Sequence, residues 1–256
     1  MARLDTEIVA RGMESTRNRA QELINGGQVL VNGVPAKKPS MDVKESDRIE
    51  ISGSGLKYVG RGGYKLQRAL EKFDVKIEGV SCIDIGASTG GFTDCMLQNG
   101  ARHVYAVDVG TSQLASELRS DPRVTVLEQT DARALTAEHI PEKCGLATFD
   151  VSFISLTQVV YGVLDFLDEN GSVIALVKPQ FEAGRKSLNK NGVVTSPRAH
   201  KEVLNKIYDY FLSVNLCVKA VCRSPIKGGK GNTEYLIHGV KGADNPIPKS
   251  ETEKIV

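Results

Sequence analysis

Two lysines and two acids, spread so widely along 256 residues that only a fold could gather them, carry the clearest sign of chemistry in this chain. Lys65 lies in Gly60-Arg-Gly-Gly-Tyr-Lys-Leu, Asp150 in Thr-Phe-Asp-Val-Ser-Phe, Lys178 in Ala-Leu-Val-Lys-Pro-Gln-Phe-Glu and Glu234 in Gly-Asn-Thr-Glu-Tyr-Leu-Ile. A lysine beside carboxylates can meet a weakly acidic hydroxyl and either take its proton as a neutral amine or, as an ammonium, stabilise the charge that develops on it. Lys178 is the expected contact with such a hydroxyl, with Asp150 and Glu234 orienting the ammonium groups. Taken singly, each residue has an ordinary explanation. Most lysines and glutamates are solvated surface charges, Lys178 before Pro179 could simply end a strand, and Asp150 could cap a turn.

A second constellation offers a place for the other reactant. Cys82-Ile-Asp84-Ile-Gly86-Ala-Ser88-Thr-Gly90-Gly91-Phe92-Thr reads as a strand, a glycine-rich turn and a helix start, where the backbone can approach a ligand and unpaired N–H groups face it. A dinucleotide would use the same devices, so the glycines alone do not choose a ligand. Three acids at successive strand ends do. Asp84 could meet an amino group or a sulfonium charge, Asp108 the ribose hydroxyls, and Asp131 the adenine amine. That combination points to S-adenosylmethionine, held by Asp84, Gly86, Ser88, Gly90, Gly91, Phe92, Asp108 and Asp131. One such aspartate would be read as a cap; three in sequence are better read as a cofactor site.

Strand-like runs at Ser81–Ile85, His103–Val107, Val124–Glu128, Thr148–Phe153 and Ser172–Val177 must place these residues. They alternate with helical stretches near Lys65–Phe73, Gly91–Asn99, Thr157–Leu167 and Pro197–Val214. Such alternation predicts an α/β Rossmann-like domain with a mostly parallel sheet covered on both faces. Ahead of it, Arg3–Arg11 and a helix capped by Ser15 or Thr16 and ended by Gly26-Gly27 precede a strand, the Asn32-Gly33 hairpin turn and a further strand at Arg48–Ile51. Ser52-Gly53-Ser54-Gly55 then reads as a linker. The expected organisation is a small domain over 1–55, a linker over 56–62, the α/β domain over 63–243 and a frayed tail over 244–256.

The order Lys65, Asp150, Lys178, Glu234 resembles the catalytic tetrad of the FtsJ-type ribose 2′-O-methyltransferases. From about Arg3 to about Gly239 the surrounding segments resemble the TlyA family, whose members are often labelled hemolysins. Taken as an ordered set, the four gain a shared function from this family resemblance of the segments around them. The helix with Arg17 and Arg19, the Gly-Gly-Gln-Val-Leu-Val-Asn-Gly run and Asp47-Arg-Ile resemble the α-L RNA-binding domain of ribosomal protein S4. The resemblance implies S-adenosylmethionine-dependent 2′-O-methylation of ribosomal RNA, at cytidine, with ribosomal RNA or ribosomal subunits as partner. Phosphate contacts are expected from Arg11, Arg17, Arg19, Lys37, Lys38 and Arg61, since A-form RNA is recognised through backbone and shape. Arg185, Lys186, Lys190, Lys227 and Lys230 could form a basic lip beside the active site.

Composition narrows the field. Hydrophobic residues make up 41% and charged residues 25%, so a folded soluble protein is expected. The formal charge of +2 announces no nucleic acid by itself. The surplus lies in the first quarter, with 10 Lys/Arg against 8 Asp/Glu through Gly62, leaving 23 of each beyond. Five cysteines without C-x-x-C spacing read as reduced buried thiols, so no metal site is expected. No signal peptide or spanning segment is evident, which places the chain in the cytoplasm and disfavours a membrane-lytic hemolysin. The absence of an Asn/Asp-Pro-Pro-Tyr/Phe element after the fourth strand disfavours a base-amine acceptor. A pseudouridine synthase is disfavoured because Arg3-Leu4-Asp5 precedes the RNA-binding helix instead of lying in a catalytic domain. A non-catalytic ribosome-assembly factor would leave the glycine-rich loop unexplained.

Overall fold

The computed structural model describes residues 1–14, 16–25, 28–51, 57–228 and 230–256. Ser15, Gly26-Gly27, the 52–55 linker with Leu56, and Gly229 lie outside the described residues. The chain divides into two units, Met1–Arg61 and Gly62–Val256.

The first unit runs β1 (Ala2–Arg3), α1 (Leu4–Ala10), α2 (Arg17–Asn25), β2 (Val29–Val31), β3 (Val34–Pro35), β4 (Asp42–Val43) and β5 (Ile49–Ile51). Leu4 and Ile8 recur at one helical turn on α1, and Ala20, Leu23 and Ile24 form the matching stripe on α2. Both stripes close over Val29, Val31, Val43 and Ile49 to make a core of its own. Asn32 and Gly33 take φ of 53° and 78°, the left-handed pair that a tight hairpin between β2 and β3 requires.

The second unit adds α3 (Gly62–Phe73), β6 (Ser81–Ile85), α4 (Gly91–Gln98), β7 (His103–Val107), α5 (Ser116–Arg119), β8 (Val124–Leu127), β9 (Cys144–Phe149) and α6 (Val160–Val163). It ends with β10 (Leu167–Val177), α7 (Pro179–Glu182), α8 (Pro197–Ser213), β11 (Leu216–Arg223), β12 (Tyr235–Lys241) and α9 (Lys249–Glu253). Seven strands form one sheet in the order β11-β12-β10-β9-β6-β7-β8. β6 to β10 pair in parallel, whereas β12 runs antiparallel to both of its neighbours. β6 and β9 lie side by side with connections leading away in opposite directions, so a crevice opens at their carboxyl ends.

Three expectations are corrected. The fourth strand covers Cys144–Phe149 instead of Thr148–Phe153. Its last paired residue is Phe149, and further on Phe153 adopts φ of 65°, which no strand accommodates. The expected helix over 157–167 is broken into 3-10 turns at Leu156–Gln158 and Leu164–Phe166 around the short α6, where β-branched Val159, Val160 and Val163 and the flexible Gly162 support a helix weakly. The tail expected to fray folds back instead. Ile247 N–H donates to Val218 O, the Tyr208 hydroxyl donates to Ile247 O, and Thr252 is fully buried.

Candidate active site

Strand register brings the reaction residues together. Val177 pairs with Tyr235 across β10 and β12, so the residues one step beyond, Lys178 and Glu234, leave the sheet at the same rung. Asp150 follows the end of β9, which pairs in parallel with β10. The four expected residues resolve into two ion pairs. Lys178 Nζ lies 2.6 Å from Asp150 Oδ1 and donates to Ser152 Oγ at 2.9 Å, while Lys65 Nζ on α3 donates to Glu234 Oε2 at 2.7 Å. Lys65, Lys178 and Glu234 are all buried, so each ammonium has a carboxylate partner where solvation is poor. Gly228 closes over the second pair: a Cβ there would collide with Glu234 Oε1.

The glycine-rich loop meets this site directly. Gly86 takes φ of 84°, and a Cβ there would lie 2.7 Å from the Asp150 carbonyl oxygen. Gly90 takes φ of 95°, and a Cβ would overlap Leu118 and Leu114. Neither position accepts a larger residue without displacing its neighbour. Gly91 opens α4, and Phe92 is buried against Gly62 at the start of α3, so the ring packs the two helices together.

Asp84 departs from its expected role. It is wholly buried and accepts from Thr93 Oγ1 at 2.7 Å and Thr148 Oγ1 at 3.0 Å, bracing the first turn of α4 from behind instead of meeting a ligand. Burial raises its pKa to about 6, with the threonine hydrogen bonds opposing the rise. Asp108 stands at the loop's open side. Its Oδ2 accepts from Ser88 N–H and its Oδ1 from Gly110 N–H, and each oxygen keeps a lone pair for a further donor. Ser88, at φ of 48°, thus takes part through its backbone. Val109 beside Asp108 is exposed and offers an apolar surface. Asp131 caps the 3-10 turn Ala132–Ala134 and pairs with Arg133 at 2.5 Å, a bond that holds its pKa down at about 2. The cap engages its carboxylate without burying it, the side chain staying 39% exposed.

Two residues after β9, Ser152 against Lys178 and Phe153 against Phe181, escaped sequence reasoning. Ser152, two residues after Asp150, was hidden because nothing in the sequence shows where the strand stops. Phe153 is 91% exposed, with its ring 5.0 Å from that of Phe181. An aromatic residue in an apolar run reads as core, and only the left-handed backbone turns it outward.

In the first unit, fully buried Asp5 accepts from Arg3 Nε and Nη2, from Arg17 Nε at 2.9 Å and from Gln21 Nε2 at 2.6 Å. These donors hold its carboxyl far below the usual range, the Arg3 hydrogen bond foremost. Arg11 bonds Glu7 and the carbonyls of Asp47, Lys44 and Glu45, so it braces the 44–47 turn instead of offering its donors to phosphate as expected. Arg19 pairs with Glu14 and Arg61 with Glu22. Lys37, Lys38, Lys186 and Lys190 are exposed.

Comparison with known proteins decides the family. The model of the FtsJ-like methyltransferases matches residues 58–241, and that of the S4 domain matches 2–49. The chain belongs to the FtsJ-like methyltransferases. This FtsJ-like protein is 41% identical to the 16S/23S rRNA (cytidine-2′-O)-methyltransferase TlyA of Mycobacterium tuberculosis, over 92% of the chain and 88% of that protein. It is 40% identical to Hemolysin A of Brachyspira hyodysenteriae, over 92% of the chain and 98% of that protein. A solved structure described as a hemolysin from Streptococcus thermophilus matches 99% of the FtsJ-like chain and 93% of its own, at 40% identity and a TM-score of 0.79. The TlyA resemblance carried by the residues therefore holds along nearly the whole chain. Among the described residues, no group of three or more His, Cys, Asp or Glu is placed to hold a metal ion, and no helix is long and apolar enough to cross a membrane.

Proposed function

We propose that this protein transfers a methyl group from S-adenosylmethionine to the ribose 2′-hydroxyl of a cytidine in ribosomal RNA. One observation carries the reading. Lys178, fixed by Asp150 and Ser152, stands at the carboxyl edge of the sheet where the Gly86 loop touches Asp150, so a hydroxyl at Lys178 Nζ lies next to the cofactor crevice. The relative named for 16S/23S rRNA cytidine-2′-O-methylation supports the acceptor.

The residues present fit the cofactor. Asp108 keeps acceptor capacity for ribose hydroxyls, Val109 offers an apolar face for a purine, and the left-handed Gly86 and Gly90 keep side chains out of the loop. When bound there, S-adenosylmethionine supplies an electrophilic methyl on a sulfonium. Lys178 then orients the attacking hydroxyl and stabilises the charge that develops on oxygen, and the Lys178–Asp150 pair takes the departing proton. The Lys65–Glu234 pair keeps a second cation at the same edge of the sheet, suited to a phosphate or ribose oxygen of the target strand. Phe153, exposed beside this edge, offers a face on which the target base can stack.

RNA is held through the first unit by Arg3 and Arg17, whose guanidinium groups are turned by Asp5 and remain about half exposed. Lys37 and Lys38 add charge. Such contacts work in the cytoplasm, where ribosomes are assembled. Arg11, Arg19 and Arg61 play a lesser part because internal acids and carbonyls engage them.

The test is incorporation of tritiated methyl groups into ribosomes and naked rRNA from a strain lacking the protein, followed by alkaline digestion. Label in a dinucleotide resistant to alkali, with cytidine on its 5′ side, is the expected result. Label on a base, or none, overturns the proposal. Lys178→Ala should abolish transfer while cofactor and RNA affinities stay within about threefold of wild type.

A further inference from the structure

Glu182 closes α7 four residues after Lys178, yet it touches neither ion pair. It is buried, and its carboxylate collects three donors from two other parts of the chain. The Ser155 hydroxyl donates to Oε2 at 2.6 Å, Leu156 N–H donates to Oε1 at 2.8 Å, and Lys206 Nζ of α8 donates to Oε2 at 2.8 Å. Ser155 and Leu156 belong to the segment that carries Asp150, Ser152 and Phe153 past the end of β9. Glu182 belongs to the segment that carries Lys178 past the end of β10. Two irregular segments are therefore joined twice, at the Lys178–Asp150 pair and again at Glu182.

The second junction has a mechanical consequence. Between Phe149 and Leu156 the chain makes no strand pairing, and Phe153 sits at φ of 65°, a conformation that persists only where its surroundings enforce it. Besides Asp150 N–H donating to Ile85 O at the strand end, the polar ties of this stretch to the rest of the fold include the Asp150 and Ser152 contacts with Lys178, the bonds to Glu182 and Lys206 Nζ on Ser155 Oγ at 3.5 Å, while Val151 and Ile154 pack against the core. A buried carboxylate with three donors is a stiff anchor: its removal would leave the Leu156 N–H without this partner, while the Ser155 hydroxyl would keep Thr157 and the half-exposed Lys206 would keep Glu182 O and solvent. Pro179 at the first position of α7 fixes the step from Lys178 to Glu182.

We propose that Glu182 is a positioning residue for methyl transfer, which sets the register between the Asp150–Leu156 segment and Lys178 and so aims the Lys178 ammonium and the Phe153 ring at the substrate. It contacts no substrate itself. This rests on the reaction proposed above.

Glu182→Gln keeps the shape and can still accept from Leu156 N–H, whereas Glu182→Ala removes every bond. Glu182→Ala should lower kcat on the order of tenfold to a hundredfold, with the KM for RNA and the Kd for S-adenosylhomocysteine within about twofold. Glu182→Gln should recover most of that loss. The loss should shrink to about twofold in an Asp150→Asn background under single-turnover conditions, because the groups being aimed are already disabled. A kcat for Glu182→Ala within about twofold of wild type overturns the proposal, and so does an undiminished loss in the Asp150→Asn background. If Glu182→Ala does not fold, Ser155→Ala replaces it, with an expected loss of about fivefold that is again non-additive with Asp150→Asn. Should wild-type protein transfer no methyl group to rRNA, the reaction fails separately. Hydrogen exchange then decides the positioning: amides of the 150–157 segment must lose protection in Glu182→Ala, or in Ser155→Ala where that variant does not fold, and unchanged protection overturns it.

Discussion

Lys65 and Glu234 are 169 residues apart in the chain and 2.7 Å apart in the fold. Both are buried, so neither charge has water to fall back on. Glu234→Gln should leave the Lys65 ammonium without its counter-charge and cost about 3–5 kcal/mol of stability. The double substitution Lys65→Met with Glu234→Leu should recover most of that stability and none of the methyl transfer. Urea unfolding and tritium incorporation read the two effects separately, and a stable, active Glu234→Gln would refute the pairing's importance.

Asp84 makes stability depend on pH. Its pKa is about 6 in the folded protein against 3.8 ordinarily, so the folded state binds the proton more tightly. That stabilising contribution is complete below the unfolded value and is lost as pH rises through about 6. Relative to Asp84→Asn, which cannot titrate, the wild-type protein should lose about 3 kcal/mol of unfolding free energy across that window. Urea titrations from about pH 4 to about pH 7.5 on both proteins check it; parallel pH profiles would contradict it.

Asp5 should govern RNA affinity without touching RNA. Asp5→Asn removes the charge that turns Arg3 and Arg17 outward together, and rRNA affinity should fall on the order of tenfold. The slope of log affinity against log salt should flatten by about one for each phosphate that an arginine no longer neutralises. S-adenosylhomocysteine affinity should be unchanged. An affinity and salt slope equal to wild type would show that the arginines find their own orientation.

Phe153→Ala should leave stability nearly unaltered, because the ring is solvent-exposed. Removal of a stacking face predicts RNA binding weaker by about 1–3 kcal/mol. Phe153→Tyr should retain activity, and thermal unfolding alongside single-turnover rates distinguishes the two effects. Full activity in Phe153→Ala would remove the ring from the site.

Much of this arrangement is legible in the residues. Glycines and alternating apolar runs mark β6, the loop and α4, because turn chemistry and periodicity are local. Lys65, Asp150, Lys178 and Glu234 stand out by their segments, although their division into two pairs depends on strand register, which no local pattern encodes. Asp84 was misread for a related reason. An acid at a strand end can face a ligand or turn inward, and the choice depends on Thr93 and Thr148, the latter 64 residues away. Ser152 and Phe153 stayed hidden because no local pattern marks the end of β9 at Phe149. Glu182 gave no signal of its own, since its three donors lie in distant segments.

The reversed sense of β12 also shapes how the protein is made. A strand running with its neighbours would bring its end to the catalytic edge; this one brings its beginning, and Glu234 arrives there directly before Tyr235. Since Lys65 emerges early during synthesis and its counter-ion emerges last of the four, the nascent chain carries an incomplete reaction set until β12 has left the ribosome.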